Sequence, residues 1–407
     1  MHEHLIILGI ALVILGYGLF SKVLGKYNIS GPMVFTTVGI LLSPLVMGGE
    51  PIKVNGDIVQ ITAEITLILV LFGDSSSLNL TQLKKQWKLP FRLLFVAMPI
   101  TIVIATLTGI YFFPNESLLY VLLLALILAP TDAALGKIVV SDERIPKVVR
   151  NTINVESGLN DGVVFPILLT VLAMIVSNSD TAQSGWMTYI AQQVIIGAVA
   201  GGFVGWAGAN IMMKAIKRGW MEKQYSNLAP VALAIFSFYF AEYFGGNGYI
   251  SAFFSGLFLG NTSEYLREHI ENFVESEGEL LVMISFLIFG LVFIPITIEY
   301  WSFKALGFAI LSLTVLRMLP VIIGFGFFKI DLSTRLFYGW FGPRGIASIL
   351  YILVAVGHIG GIQGHEEIYS VASLTIFLSI FLHGLSAQPL AIFYAKSHPA
   401  EKKNEKK

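Results

Sequence analysis

The sequence predicts an all-α polytopic membrane protein with thirteen transmembrane helices, and three observations carry that reading. First, of 407 residues 55% are hydrophobic and only 13% charged, with a mean hydropathy of +0.76; soluble domains carry about 25% charged residues. Second, apolar runs of about 20 residues recur from end to end, joined by short connections that leave no room for a soluble domain. Third, carboxylates, prolines and arginines interrupt a few runs at mid-depth, where a charge is costly and usually faces a water-filled cavity.

The composition also excludes function classes. Net charge is zero, so nothing in the balance points to nucleic acid. Cysteine is absent, which removes disulfide scaffolds, thiol catalysis and Cys-based metal sites. The start, Met1-His2-Glu3-His4 and then an apolar run, lacks the basic region and cleavage site of a signal peptide, so it reads as a retained first span.

In order, the expected spans are about 5–21, 32–48, 58–74, 91–113, 117–140, 152–177, 187–213, 226–244, 247–261, 277–295, 303–328, 335–357 and 367–394. Only the tight turn Gly245-Gly246-Asn247-Gly248 separates the eighth from the ninth. The fifth breaks at Ala129-Pro130-Thr131-Asp132-Ala133, where a helix stops and restarts. The twelfth breaks at Gly342-Pro343-Arg344-Gly345. These two are seven spans apart, as expected for two inverted six-helix repeats with discontinuous crossing helices (5 and 12). The domain reading is therefore one transporter unit over residues 1–400: repeat one at about 5–177, a linker helix at about 187–213, and repeat two at about 226–394. A basic tail, 401–407, follows and is attracted to anionic membrane lipid. Between spans nine and ten, Thr262–Glu279 is acidic with Leu266, Ile270, Phe273 and Val274 interspersed, and reads as an amphipathic interfacial helix or a solvated connection.

Basic residues test this count. With the N-terminus outside, the inner loops hold Lys22, Lys26, Lys84, Lys85, Lys88, Lys147, Arg150, Lys214, Lys217, Arg218, Lys223, Arg267, Lys329, Arg335 and the Lys-rich end. The outer loops hold only Lys53 and Lys304, which is the positive-inside pattern and puts the C-terminus in the cytoplasm.

The candidate site lies in and after the fifth span. Asp161 is the first candidate for an ion carrier, because a carboxylate taken out of water favours its neutral form enough for proton and cation to compete near neutral pH. Asn160 beside it is neutral and suited to hold water, backbone or the carboxylate. Thr131 and Asp132 suit an N-cap and a cation ligand alike, and freed carbonyls around Pro130 and Thr131 are hard oxygen donors. Asp132 joins Asp161 as the second carboxylate of a cation site. Glu156 and Arg344 read as a buried ion pair, with Arg317 as a competitor for Glu156 near the irregular Leu319-Pro320 point. The alternative role for Arg344 is to offset a half-helix C-terminus. Asp74, at the end of the third span, reads as an interface cap or a ligand, with Glu64 a lesser candidate. His383 reads as core packing.

The Pro130-Thr131-Asp132 break, the run Glu156-Ser157-Gly158-Leu159-Asn160-Asp161-Gly162 and the late Gly342-Pro343-Arg344-Gly345 together resemble the cation/proton antiporter superfamily. The Asn160-Asp161 pair is similar to its NhaP-type sodium/proton antiporter branch. The resemblance implies a dimerisation bundle, a mobile core bundle moving elevator-fashion, and a homodimer. It implies that Asp161 binds cation and proton in alternation, helped by Asp132, Ser157 and the Thr131 backbone, that Glu156 pairs with Arg344, and that Asp74 contributes in some members. Asn-Asp in place of two aspartates implies one proton per monovalent cation. Thr131-Asp132-Ala133-Ala134 departs from the Asp-Pro-Val common after the Thr or Ser in relatives, which bears on ion selectivity. No nucleotide-binding or long regulatory segment follows Lys407, an expectation against the larger potassium-efflux and animal-type members.

The expected activity is electroneutral exchange of Na⁺ or Li⁺ for H⁺ in a microbial plasma membrane, with no cofactor beyond the transported cation and no enzymatic chemistry. K⁺/H⁺ exchange on the same fold is the first alternative, followed by an ion channel or sodium-coupled symporter, and last a membrane enzyme acting on lipid.

Overall fold

The computed structural model describes residues 2–48, 56–177, 186–273, 278–326 and 328–398. Lys53, Val274, Glu275, Glu277 and the basic end 401–407 lie outside the described residues.

Among the described residues the chain is helical and strand-free. In order come α1 (His2–Lys26), α2 (Gly31–Leu42), α3 (Asp57–Ser77), α4 (Lys88–Phe112), α5 (Leu118–Ile127) and α6 (Ala133–Val140). Then follow α7 (Lys147–Ser177), α8 (Trp186–Lys217), α9 (Lys223–Tyr243), α10 (Gly248–Thr262), α11 (Glu264–Phe273) and α12 (Glu279–Tyr300). The last are α13 (Phe303–Leu313), α14 (Val315–Gly324), α15 (Leu332–Trp340), α16 (Ile346–Ile359) and α17 (Glu366–Ser397). Among the described residues eight helical stretches are long and apolar enough to cross a membrane, with α13 and α14 counted as one; four further apolar helices have 10–17 residues.

Local chemistry sets several helix starts. Ser117, Asn247, Ser302 and Asp331 each accept a backbone N–H from three residues on, as N-caps do. Packing then uses small residues, because helices in lipid gain from close van der Waals approach rather than from a hydrophobic drive. Gly197, Gly201 and Gly205 of α8 lie against the backbone of Asn247, Ser251 and Ser255 on α10. Gly256 and Gly260, on another face of α10, lie against Phe72 and Ser76 of α3. A Cβ at any of these five positions would strike main chain, so α8, α10 and α3 form one tightly locked layer.

Enclosure falls from centre to edge. In α17, 72% of the membrane-length stretch is buried, against none in α1. Both interruptions expected from sequence exist: α5 and α6 are separated by 128–132, and α15 and α16 by 341–345. A third break separates α13 from α14 at Thr314, a turn and a half before Pro320, which itself sits inside α14. A proline ring crowds the carbonyl four residues back and distorts the helix on that side, so the irregularity falls upstream of it. In α11 the buried Leu266 and Ile270 pack against protein, so the amphipathic face is covered by the bundle rather than by the membrane interface.

Candidate ion-binding site

The two interruptions meet. The Asp132 amide donates to the Pro343 carbonyl at 2.9 Å, and the Ile346 amide donates to Asp132 Oδ2 at 2.9 Å. Asp132 therefore caps α16, the half-helix of the other break. Its carboxylate sits against the positive end of that helix, where an anion is stabilised. Gly345 makes this possible: a Cβ there would run into the Asp132 carboxyl group. The freed carbonyl of Ile127 accepts from Ser348 Oγ at 2.7 Å, so the end of α5 is satisfied inside the protein, as membrane depth requires.

On α7, residues 156, 157, 160 and 161 fall on adjoining faces one turn apart. Ser157 Oγ donates to the Thr131 carbonyl at 2.8 Å. Asn160 Nδ2 donates to the same carbonyl at 3.0 Å and to Thr131 Oγ1 at 2.8 Å. These bonds pin the broken segment to α7. Asn160 Oδ1 is buried without a hydrogen-bond partner among the described residues. Asp161 is 4% exposed, and its Oδ1 accepts from the Tyr351 hydroxyl of α16 at 2.9 Å.

Asp74, at the last turn of α3, lies with its backbone against Gly158 of α7. Asp74 and Asp132 both act electrostatically on Asp161, so three carboxylates share one buried neighbourhood. Asp74 and Asp132 also line a cavity of about 570 Å³ that reaches Ser141 and Asn154 at one end of the bundle, while the buried Asp161 is not part of its lining. Among the described residues no group of three or more His, Cys, Asp or Glu side chains is arranged to hold a metal ion. The chemistry on offer is instead reversible: carboxylates, a hydroxyl and an amide oxygen that a proton or a weakly held cation could share.

One expected pairing is corrected. Glu156 bonds to Arg317 Nη2 of α14, and the two side chains are 3% and 1% exposed. Arg344 instead turns its Nη1 to the carbonyls of Gly342 at 2.8 Å and Pro130 at 3.5 Å, and its amide donates to Ser379 Oγ at 2.7 Å. It offsets the carbonyl end of α5, where unpaired C=O groups accumulate negative potential. Two arginines and one glutamate stand within electrostatic range here, and the break in helix α13–α14 is what brings Arg317 to Glu156. His383 packs its ring on Trp340 (4.9 Å between centroids), with Nδ1 near the Ser379 carbonyl at 3.1 Å, as a core residue.

Sequence reasoning missed Tyr351, Ser348 and Ser379, and named Gly345 only as part of the helix break. Tyr351 was the one with a signal, as the only hydroxyl-bearing ring in the apolar run Ile346–Val356.

Comparison with known proteins gives the family and the fold. Residues 9–393 match the family described as sodium/hydrogen exchanger, transmembrane. The K(+)/H(+) antiporter NhaP of Alkalimonas amylolytica is 23% identical over 371 residues, covering 91% of this chain and 63% of that one. The Na(+)/H(+) antiporter NhaP of Pseudomonas aeruginosa is 28% identical over 359 residues, covering 82% and 81%. This chain thus spans less than two thirds of the first relative's length. The solved structure of the sodium proton antiporter MjNhaP1 from Methanocaldococcus jannaschii at pH 8 superposes with a TM-score of 0.78 at 21% identity, covering 97% of this chain and all of that one. The chain belongs to the transmembrane sodium/hydrogen exchanger family.

Proposed function

We propose that this protein is an electroneutral monovalent cation/proton antiporter that exchanges Na⁺ or Li⁺ for H⁺. The observation that carries the reading is Asp161: a buried carboxylate held by one hydroxyl, beside Asp132 and Asp74, which line a cavity reaching one end of the bundle. Asp161 takes proton and cation in turn. Asp132, the Thr131 carbonyl, Ser157, Asn160 and Asp74 complete or shape the cation site, with the partnerless Asn160 Oδ1 a further oxygen donor. Glu156 with Arg317, and Arg344 at the crossing, hold the frame. With Asn160 neutral, one carboxylate carries one charge per half-cycle, which supports one-for-one exchange.

Thirteen crossings, with α5–α6 and α15–α16 as the discontinuous pair, form two inverted repeats joined by α8. The core bundle around the crossing moves elevator-fashion against a dimerising bundle in a homodimer. The lysine and arginine bias places the N-terminus outside and the C-terminus in the cytoplasm of a microbial plasma membrane. The large cavity then opens to the cytoplasm.

K⁺ as the exchanged cation is the second reading, because similar relatives carry the names K(+)/H(+) antiporter NhaP and Na(+)/H(+) antiporter NhaP. Purified protein in proteoliposomes with an imposed pH gradient and an entrapped pH dye decides both points. Na⁺- or Li⁺-dependent proton movement that ignores membrane potential and vanishes in Asp161→Asn is the expected result. A K⁺ response alone changes the substrate, and no cation-linked proton movement overturns the assignment.

A further inference from the structure

A second polar pocket lies on the other side of Asp161 from the large cavity. It measures about 300 Å³ and is lined by Gln60 and Glu64 of α3, Tyr249 of α10, and Val354, Gly357 and His358 of α16. The helices fix its position relative to the site. Glu64 precedes Asp74 on α3 by ten residues, about 15 Å of helix rise, and His358 follows Tyr351 on α16 by seven, about 10 Å. On α7, Asn154 of the large cavity precedes Asp161, while Phe165 follows it. The two cavities therefore line successive stretches of the same helices: Gln60 and Glu64 against Thr66 to Asp74 on α3, and Val354 to His358 against Ile346 on α16.

Between this pocket and Asp161 stands a layer of three rings. Phe165 packs on Tyr249 with centroids 5.0 Å apart and on Tyr351 with centroids 4.9 Å apart. Tyr249 lines the pocket, and Tyr351 holds Asp161.

The lining chemistry suits a cation. Glu64 supplies a half-buried carboxylate, and among the described residues no Lys or Arg lines the pocket. His358 places Nδ1 2.9 Å from the Val354 carbonyl, so that nitrogen donates its hydrogen there. Gln60 uses Nε2 on the Leu353 carbonyl at 3.2 Å. Glu242 of α9 adds a second carboxylate nearby while accepting from the Gly248 amide at 2.7 Å. Gly357 leaves room for the Gln60 amide, since a Cβ there would come within 2.8 Å of Gln60 Cδ.

We propose that this pocket is an outer docking site for a hydrated monovalent cation, centred on the Glu64 carboxylate and separated from Asp161 by the Phe165–Tyr249–Tyr351 layer. The inference rests on the antiport reading and adds to it a second, sided station. Attraction by a half-buried carboxylate raises the local cation concentration at that face alone, so its loss acts on one face of the membrane.

The test is initial exchange rate against Na⁺, Li⁺ and K⁺ added to right-side-out and to inside-out membrane vesicles. Glu64→Gln is expected to raise KM about five- to tenfold at the pocket's face, with kcat and the opposite face unchanged. Glu64→Asp should recover most of the loss, and Gly357→Ala, which crowds Gln60 into the pocket, should mimic it. An equal change at both faces, or none at either, in a protein that still exchanges overturns the docking site alone. A parent protein without exchange overturns the antiport reading beneath it.

Discussion

Glu156 and Arg317 form an ion pair in the interior of the bundle, with both side chains almost fully enclosed, and Arg344 stands beside it with its guanidinium bonded, among the described residues, to carbonyl oxygens alone. The pair is enclosed away from the large cavity, which neither residue lines. Removing one partner leaves the other charge buried alone, which costs about 3–5 kcal/mol. Arg317→Met should therefore lower the unfolding midpoint of the purified protein sharply. The double variant Glu156→Gln with Arg317→Met should recover much of the loss. Arg344→Met strands no carboxylate and should cost less; if it matches Arg317→Met and couples equally to Glu156→Gln, the pairing described here is wrong.

Tyr351 sets how Asp161 is presented. Its hydroxyl donates to Oδ1 at 2.9 Å, and a hydrogen bond to a charged group contributes about 1.5–3 kcal/mol. In Tyr351→Phe the KM for the exchanged cation should rise roughly tenfold while the protein remains folded. The check is cation-dependent proton flux in proteoliposomes alongside the unfolding midpoint. An unchanged KM would detach Tyr351 from the carrier.

Gly345 is required by the contact between Asp132 and the start of α16. Gly345→Ala should abolish exchange by pushing the carboxylate off the Ile346 amide. Gly16→Ala, where a Cβ meets nothing within 4 Å, serves as the control and should leave exchange intact. Equal activity in the two variants would show that the cap does not position the site.

Asp331 gives the clearest pH dependence outside the membrane segments. Burial works to raise its pKa, but hydrogen bonds from Ser333, the Thr334 hydroxyl and the Thr334 amide, with His398 alongside, hold the carboxyl well below the usual range. The folded-state value lies under the unfolded one, so this stabilisation is complete above about pH 4 and is lost as pH falls towards the folded-state value. Asp331→Ala should remove an N-cap at neutral pH, costing about 1 kcal/mol. It should also flatten the fall in unfolding midpoint below about pH 4. A variant that keeps the parent's acid profile would assign that profile to other groups. Asp142 is lowered in the same way by its hydrogen bond with Arg144, but Arg144 is 57% exposed and the pair is expected to contribute little.

By itself the sequence determined the membrane class, the place of both helix interruptions and the short set of polar residues that could work there. Apolar length and composition dictate a spanning helix, and Pro130 or Gly342-Pro343 cannot continue one, so these features are local and readable. The run from Glu156 to Asp161 was legible for the same reason: charges at that depth have few explanations. Tertiary structure decided which charge meets which. Arg317 and Arg344 are equal in chemistry, and only the turn at Thr314 and the crossing of the two breaks send one to Glu156 and the other to the Pro130 carbonyl. Asp132 reads in sequence as a cap, and only the fold shows that its carboxylate reaches the start of α16, because Gly345 leaves room for it. Tyr351 and Asp161 are 190 positions apart, and no local pattern records a bond between side chains that meet only when α7 and α16 pack.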